Sequence, residues 1–246
     1  RMRDSRTAIL ERIRSGRSGA PVQSVPVPVS LSPRPAMEPS VVVDQFVREA
    51  EAVGAIVHRT DGRDIAVEIV LGILADAGVN RFVSWEPADL PIPELVEAVI
   101  DRGIRLVEAP SLAASKELVR DWTAVAGAEA GLTGAVGGLA DTGTVILRSG
   151  PGRARLAWLL PPLHVVVLHS PFIYPTLQAF MGARGEMVGR SSHVAFVTGP
   201  SRTADIEQTL TIGVHGPKEV RIVLVDHDRD TPAVGGARAR ADDADR

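Results

Sequence analysis

Two short stretches carry residue types that could do chemistry. In "ADTGT", Asp141, Thr142 and Thr144 surround Gly143 just ahead of an apolar run. In "TGPSRTADIEQT", residues 198–209, Gly199, Ser201, Arg202, Thr203, Asp205 and Glu207 follow directly on the apolar "HVAF". A guanidinium flanked by hydroxyls can grip a carboxylate or phosphate bidentately, and a helix start beside it adds N–H groups and a positive end. The same residues also have local uses. Ser201 or Thr203 can cap a helix running on through "ADIEQTLTIG", or Asp205 can, with Gln208 reaching back as in a capping box. A cap contributes about 1 kcal/mol and accounts for one hydroxyl or carboxylate, not for all of them. Asp205 and Glu207 would compete with an anion, accept ligand hydroxyls, or hold Arg202 internally. Asp141 and Thr142 can likewise make local backbone bonds in a hairpin or bulge. Alternatively the glycine-rich "GLTGAVGGLADTGTVIL", residues 131–147, forms a pocket wall whose hydroxyls and N–H groups bind an anion.

Other chemistries find no support. The 246 residues include no cysteine, so thiol nucleophiles, zinc–thiolate sites and a cluster ligated by this chain are excluded. There is no GxxxxGK[ST], no GxGxxG and no GxSxG. Lys116 and Lys218, the only lysines, lack an apolar setting that would depress an amine for Schiff-base work. His58, His164, His169, His193, His215 and His227 show no helical i, i+4 pair, which leaves a metal only to ligands from distant segments. A net charge of −3 and 4% aromatics argue against nucleic acid as partner. Apolar runs such as "HVVVLH" fall far short of the roughly 18 residues needed to span a bilayer. The first residues, "RMRDSRTAILERIRSG", lack a secretory h-region, so the cytoplasm is the expected location.

The elements that must position these residues alternate. Residues 41–54 read as a helix, 55–59 as a strand, and 61–78 as a helix capped by Asp61, with Ile65, Ile69, Ile73 and Leu74 on one face. Strands at 81–85 and 104–109 alternate with helices at 92–103 and 115–127. From 131 onward strands crowd together around one clear helix, 171–183, so some antiparallel pairing is expected, with a hairpin at "SGPGRA". The pattern predicts an α/β fold with a mixed, largely parallel sheet covered by helices on both faces. Flanking it are an amphipathic helix within 1–16 (Ala8, Ile9, Arg12 and Ile13 on one stripe), a Pro-rich linker at 17–39 and a disordered tail at 227–246. The core domain is therefore 40–226.

"LTGAVGGLADTGTVIL", "LLPPLHVVVL", "TGPSRTADIEQTLTIGVHGPKEVRIVLVD" and the N-terminal "ILERIR" resemble the LutC-type lactate utilisation proteins of the LUD domain family. The resemblance spans most of the chain and is strongest from 131 to 226; "AVGG" at 135–138 departs from it by its glycines. It implies a fold similar to the phosphosugar isomerases and CoA transferases. It also implies a role in converting L-lactate to pyruvate beside iron–sulfur partner proteins, with no cofactor in this chain. Its signature positions are Asp141, Thr142, Gly143, His164, Gly199, Ser201, Arg202, Thr203, Asp205, Glu207 and His215, as candidate contacts for a small carboxylate or phosphate. A free-standing enzyme on a carboxylate, CoA thioester or phosphosugar is the alternative; a CoA-transferase route would need Glu129 or Glu207 as nucleophile. A ligand-sensing module is the third reading.

Overall fold

The computed structural model describes residues 2–17, 37–108, 125–204, 210–212 and 216–226. The chain divides into two units, Arg1–Ala36 and Met37–Arg246. The first contains helix α1 (Met2–Arg17), on which Ile9, Leu10 and Ile13 are exposed. The expected linker and tail lie outside the described residues, save for the ends of the linker.

In the second unit, β1 (Ile56–Thr60), β2 (Arg81–Ser84), β3 (Arg105–Leu106), β4 (Ala130–Gly134), β7 (Leu163–His169) and β12 (Glu219–Val225) form a six-stranded sheet in the order β1-β12-β7-β4-β2-β3. Every pairing in it is parallel. The central strand β7, "LHVVVLH", is buried at all seven positions. A parallel strand wetted on neither face reads as a continuous apolar run, which is why its period-2 pattern is lost.

One face of the sheet is covered by α2 (Pro39–Ala52), by α5 (Leu156–Leu159) and by a second sheet. That sheet joins β5 (Gly137–Leu139), β6 (Thr144–Arg148), β8 (Ile173–Tyr174) and β9 (Val194–Val197) in the order β8-β5-β6-β9. A Cβ at Gly131 would overlap the Ala157 carbonyl, so glycine lets α5 lie directly on β4. Because β7 is buried throughout, the other face must be covered too, and α3 (Arg63–Asp76) and α4 (Leu95–Asp101) supply that cover. Phe46, Phe82, Leu74, Leu168 and Leu224 are among the largest fully buried side chains.

Several elements differ from the sequence expectation. Gly62, not Asp61, occupies the N-cap of α3, and its buried stripe is Ala66, Val70, Ile73 and Leu74, leaving Ile65 52% exposed. The expected helix at 92–103 starts only at Leu95, past Pro91 and Pro93. The helix expected at 171–183 is α6, Leu177–Gly189. Pro171 and Pro175 delay it until Thr176, whose hydroxyl accepts from the Ala179 N–H at 3.2 Å. "SGPGRA" makes a tight turn with a single Gly150–Arg153 bridge; β6 pairs antiparallel with β5 and β9 while the chain enters α5. The helix expected at 115–127 lies mostly outside the described residues.

The most consequential correction falls on "SRTADIEQTLTIG". No helix begins at Ser201 or Thr203 as expected: Arg202–Ala204 (β10) pairs antiparallel with Leu210–Ile212 (β11), and Asp205 lies outside the described residues. Thr203 on one arm and Leu210, Thr211 and Ile212 on the other are residue types that favour a pleated pair. Arg202 therefore sits in a strand, and among the described residues no helix N-terminus follows it to hold an anion.

Candidate functional site

A cleft of about 390 Å3 opens beside the second sheet. One wall is α5, through Trp158, Leu159 and the preceding Arg155; the other is the stretch His193–Gly199 on and around β9. Ser201, Gly216 and Pro217 close the floor. The Ser201 N–H donates to the Pro217 carbonyl at 2.9 Å, and the Lys218 N–H to that of Pro162 at 2.8 Å. Those residues lead into β12 and β7, so the cleft sits at the amino ends of the parallel strands. Open α/β sheets usually bind ligands at the opposite, carboxyl ends.

The cleft wall carries Arg155 and His193 and, among the described residues, no carboxylate. Arg155 is exposed, and among the described residues nothing holds its guanidinium. His193 is half-buried; its ring lies 6.4 Å from that of Trp158, and its Nδ1 lies 3.4 Å from the Ser149 hydroxyl. Trp158 in turn meets Trp85 edge-to-face at 6.0 Å.

The expected residues Asp141–Thr144 and Gly199–Arg202 do converge, but around the C-terminal end of α2. Gly143 (φ 61°) and Gly199 (φ 75°) both adopt the left-handed conformation. A side chain would drive Gly143 into the Ala50 backbone and Gly199 into the Val53 carbonyl. The Arg202 guanidinium donates to that same carbonyl at 2.8 Å, placing a cation at the negative end of the helix. The Thr144 hydroxyl lies 2.7 Å from that of Thr142 and 2.8 Å from that of Thr198, which ties the two stretches together. Thr198 shares the Phe196 face of β9 by strand alternation, so this hydroxyl chain lies across the sheet from Ala195 and Val197. Asp141 donates its N–H to the Pro175 carbonyl, and its Oδ1 is buried without a partner. Of the expected contacts, Gly199 and Ser201 line the cleft.

His164 lies elsewhere. It is fully buried in β7, with Nε2 2.8 Å from the Thr133 hydroxyl on β4 and no partner for Nδ1. Burial pushes its pKa down to about 3, so the ring is neutral and serves the sheet interior. Glu129 is occupied as well: it accepts from the Asn80 and Arg81 N–H groups at 2.5 and 3.1 Å, and the first of these bonds holds its carboxyl below the ordinary range. Asp205, Glu207 and His215 lie outside the described residues, as does the side chain of Thr203. Among the described residues no three His, Asp or Glu side chains gather as a metal site, and no helix is long and apolar enough to cross a membrane.

The LUD domain matches residues 43–225. This chain belongs to the LUD domain family. Among curated relatives, an uncharacterized protein of Neisseria meningitidis serogroup B is 37% identical over 43% of this chain and 46% of its own. Lactate utilization protein C of Geobacillus sp. is 35% identical over 35% of this chain and 38% of its own. That of Deinococcus radiodurans is 32% identical over 48% and 59%. The matches thus span about half or less of most of these relatives, and they mark the chain as a LutC-type member. A crystallographic DUF162 family protein from Deinococcus radiodurans shares the fold, with a TM-score of 0.55 at 20% identity over 77% of this chain and 99% of that one.

Two residues that give this LUD protein its cleft escaped the sequence reading, Arg155 and His193. Arg155 sits in "SGPGRARLAW", which reads as a turn, and His193 precedes a strand without a spacing partner. Only the packing of α5 on β4 and the pairing of β9 with β6 bring them to one opening.

Proposed function

We propose that this LUD protein is an accessory subunit, carrying no cluster of its own, of a cytoplasmic iron–sulfur system that oxidises L-lactate to pyruvate. The recurrence of lactate utilization protein C among its relatives carries this reading. The cleft contributes a small-anion site in which Arg155 supplies the charge, and His193 and Ser201 supply hydrogen bonds. This replaces Arg202 as the main anion contact, because Arg202 is turned onto Val53. Isothermal titration with pyruvate, L-lactate and phosphate tests the site: saturable binding by the native protein is expected, weakened by Arg155→Gln. Absence of heat with all three, in a protein that melts cooperatively, would remove the anion role.

Of the alternative, a free-standing enzyme on a carboxylate, CoA thioester or phosphosugar, the CoA-transferase branch has less to support it at Glu129, which is bound to backbone, while Glu207 lies outside the described residues. The core domain is proposed to be 40–226, close to the matched span.

A further inference from the structure

We propose that the free edge of β9 receives an extended, acidic peptide segment of a partner protein as an added strand. β9 ends its sheet, with β6 on one side and, among the described strands, nothing on the other. The Ser149 N–H donates to the His193 carbonyl, which fixes the alternation of the β6–β9 ladder. His193, Ala195 and Val197 turn their backbone groups toward β6, so Val194 and Phe196 turn theirs to the open edge. That edge borders the cleft, whose volume of about 390 Å3 falls in the range that takes drug-sized ligands, more than a three-carbon acid needs. Phe196, at its centre, leaves 45% of its surface exposed while its ring meets Phe180. The charge beside the edge selects the occupant: Arg155 and His193 line the cleft it borders and, among the described residues, no carboxylate does. Backbone pairing with Phe196 would give affinity, the exposed ring would take an aliphatic residue, and Arg155 would take a carboxylate of the incoming strand. The inference rests on the anion-site reading at that last contact alone.

The test is fluorescence anisotropy with a labelled alternating Val–Glu peptide, and the matching Val–Lys peptide as control, on the full chain. Saturable binding of the acidic peptide alone is expected, weakening as salt rises. Phe196→Pro removes the outward N–H without touching the β6 ladder and should weaken it by about two- to tenfold. Arg155→Gln should weaken it roughly tenfold or more. Cooperative melts of both variants establish that the fold persists. No binding by the native protein overturns the proposal, as does binding indifferent to either substitution. A dimer in sedimentation that Phe196→Pro dissociates would assign the edge to a second copy instead. If the peptide binds while pyruvate and phosphate do not, the anion reading fails and strand addition stands.

Discussion

The guanidinium of Arg202 is committed to the Val53 carbonyl, whereas that of Arg155 faces the cleft. Arg202→Ala should therefore act on stability. An exposed cation at a helix C-terminus contributes about 0.3–1 kcal/mol, so its loss should lower the melting temperature by roughly 1–4 °C and leave pyruvate affinity within about twofold. Arg155→Gln should do the reverse, weakening affinity by about ten- to hundredfold with little change in the melt. Calorimetric titration beside a thermal melt reads both, and a large affinity loss in Arg202→Ala would reverse the assignment. His164 gives a pH signature. Its folded pKa of about 3 lies below the ordinary 6.5, so the unfolded chain binds the extra proton between those values. The stability it permits is complete above about pH 6.5 and falls on acidification, by about 2 kcal/mol at about pH 5. Urea melts at pH 7 and 5 should show that loss, and His164→Val combined with Thr133→Val should reduce it. An unchanged slope would mean that the ring is solvated.

The elements are arranged so that glycines decide approach distances. Gly131 admits α5 onto β4, and α5 carries the Arg155 wall of the cleft. Gly131→Ala should push α5 outward, cost about 1–3 kcal/mol or more, and impair anion binding together with stability. Paired urea melts and titrations of this variant check the coupling, and normal affinity would show that the wall is independent of α5. Strands β1, β2 and β3 were legible because short aliphatic runs alternate with helices between 41 and 109, whereas β4, β7 and β12 read only as strands in the crowded region from 131, without their parallel partners. The β10–β11 pair was not legible. "SRTA" offers the hydroxyls of a helix start, and only the pairing of Arg202–Ala204 with Leu210–Ile212 decides against it. The convergence of "ADTGT" with "TGPSR" was legible only as a shared resemblance; its cause, the wrapping of the α2 terminus, involves Val53 and Ala50, which carry no chemistry. The same holds for the cleft, whose Arg155 and His193 are 38 positions apart.

At the scale of the molecule, no cysteine is present to hold an electron-carrying cluster. In the proposed system any cluster-borne redox chemistry would therefore belong to its partners. The proposed docking surface, the free β9 edge beside the cleft, would lie away from the usual ligand edge of α/β folds. The most direct measurement is affinity purification of the tagged full chain from its host grown on L-lactate, with iron content and protein composition of the eluate determined. Proteins carrying iron–sulfur clusters should elute with the chain in a fixed ratio, and the mixture, but not the chain alone, should reduce an electron acceptor with L-lactate. Elution of the chain by itself, or lactate turnover by the chain alone, would contradict the assignment as an accessory subunit.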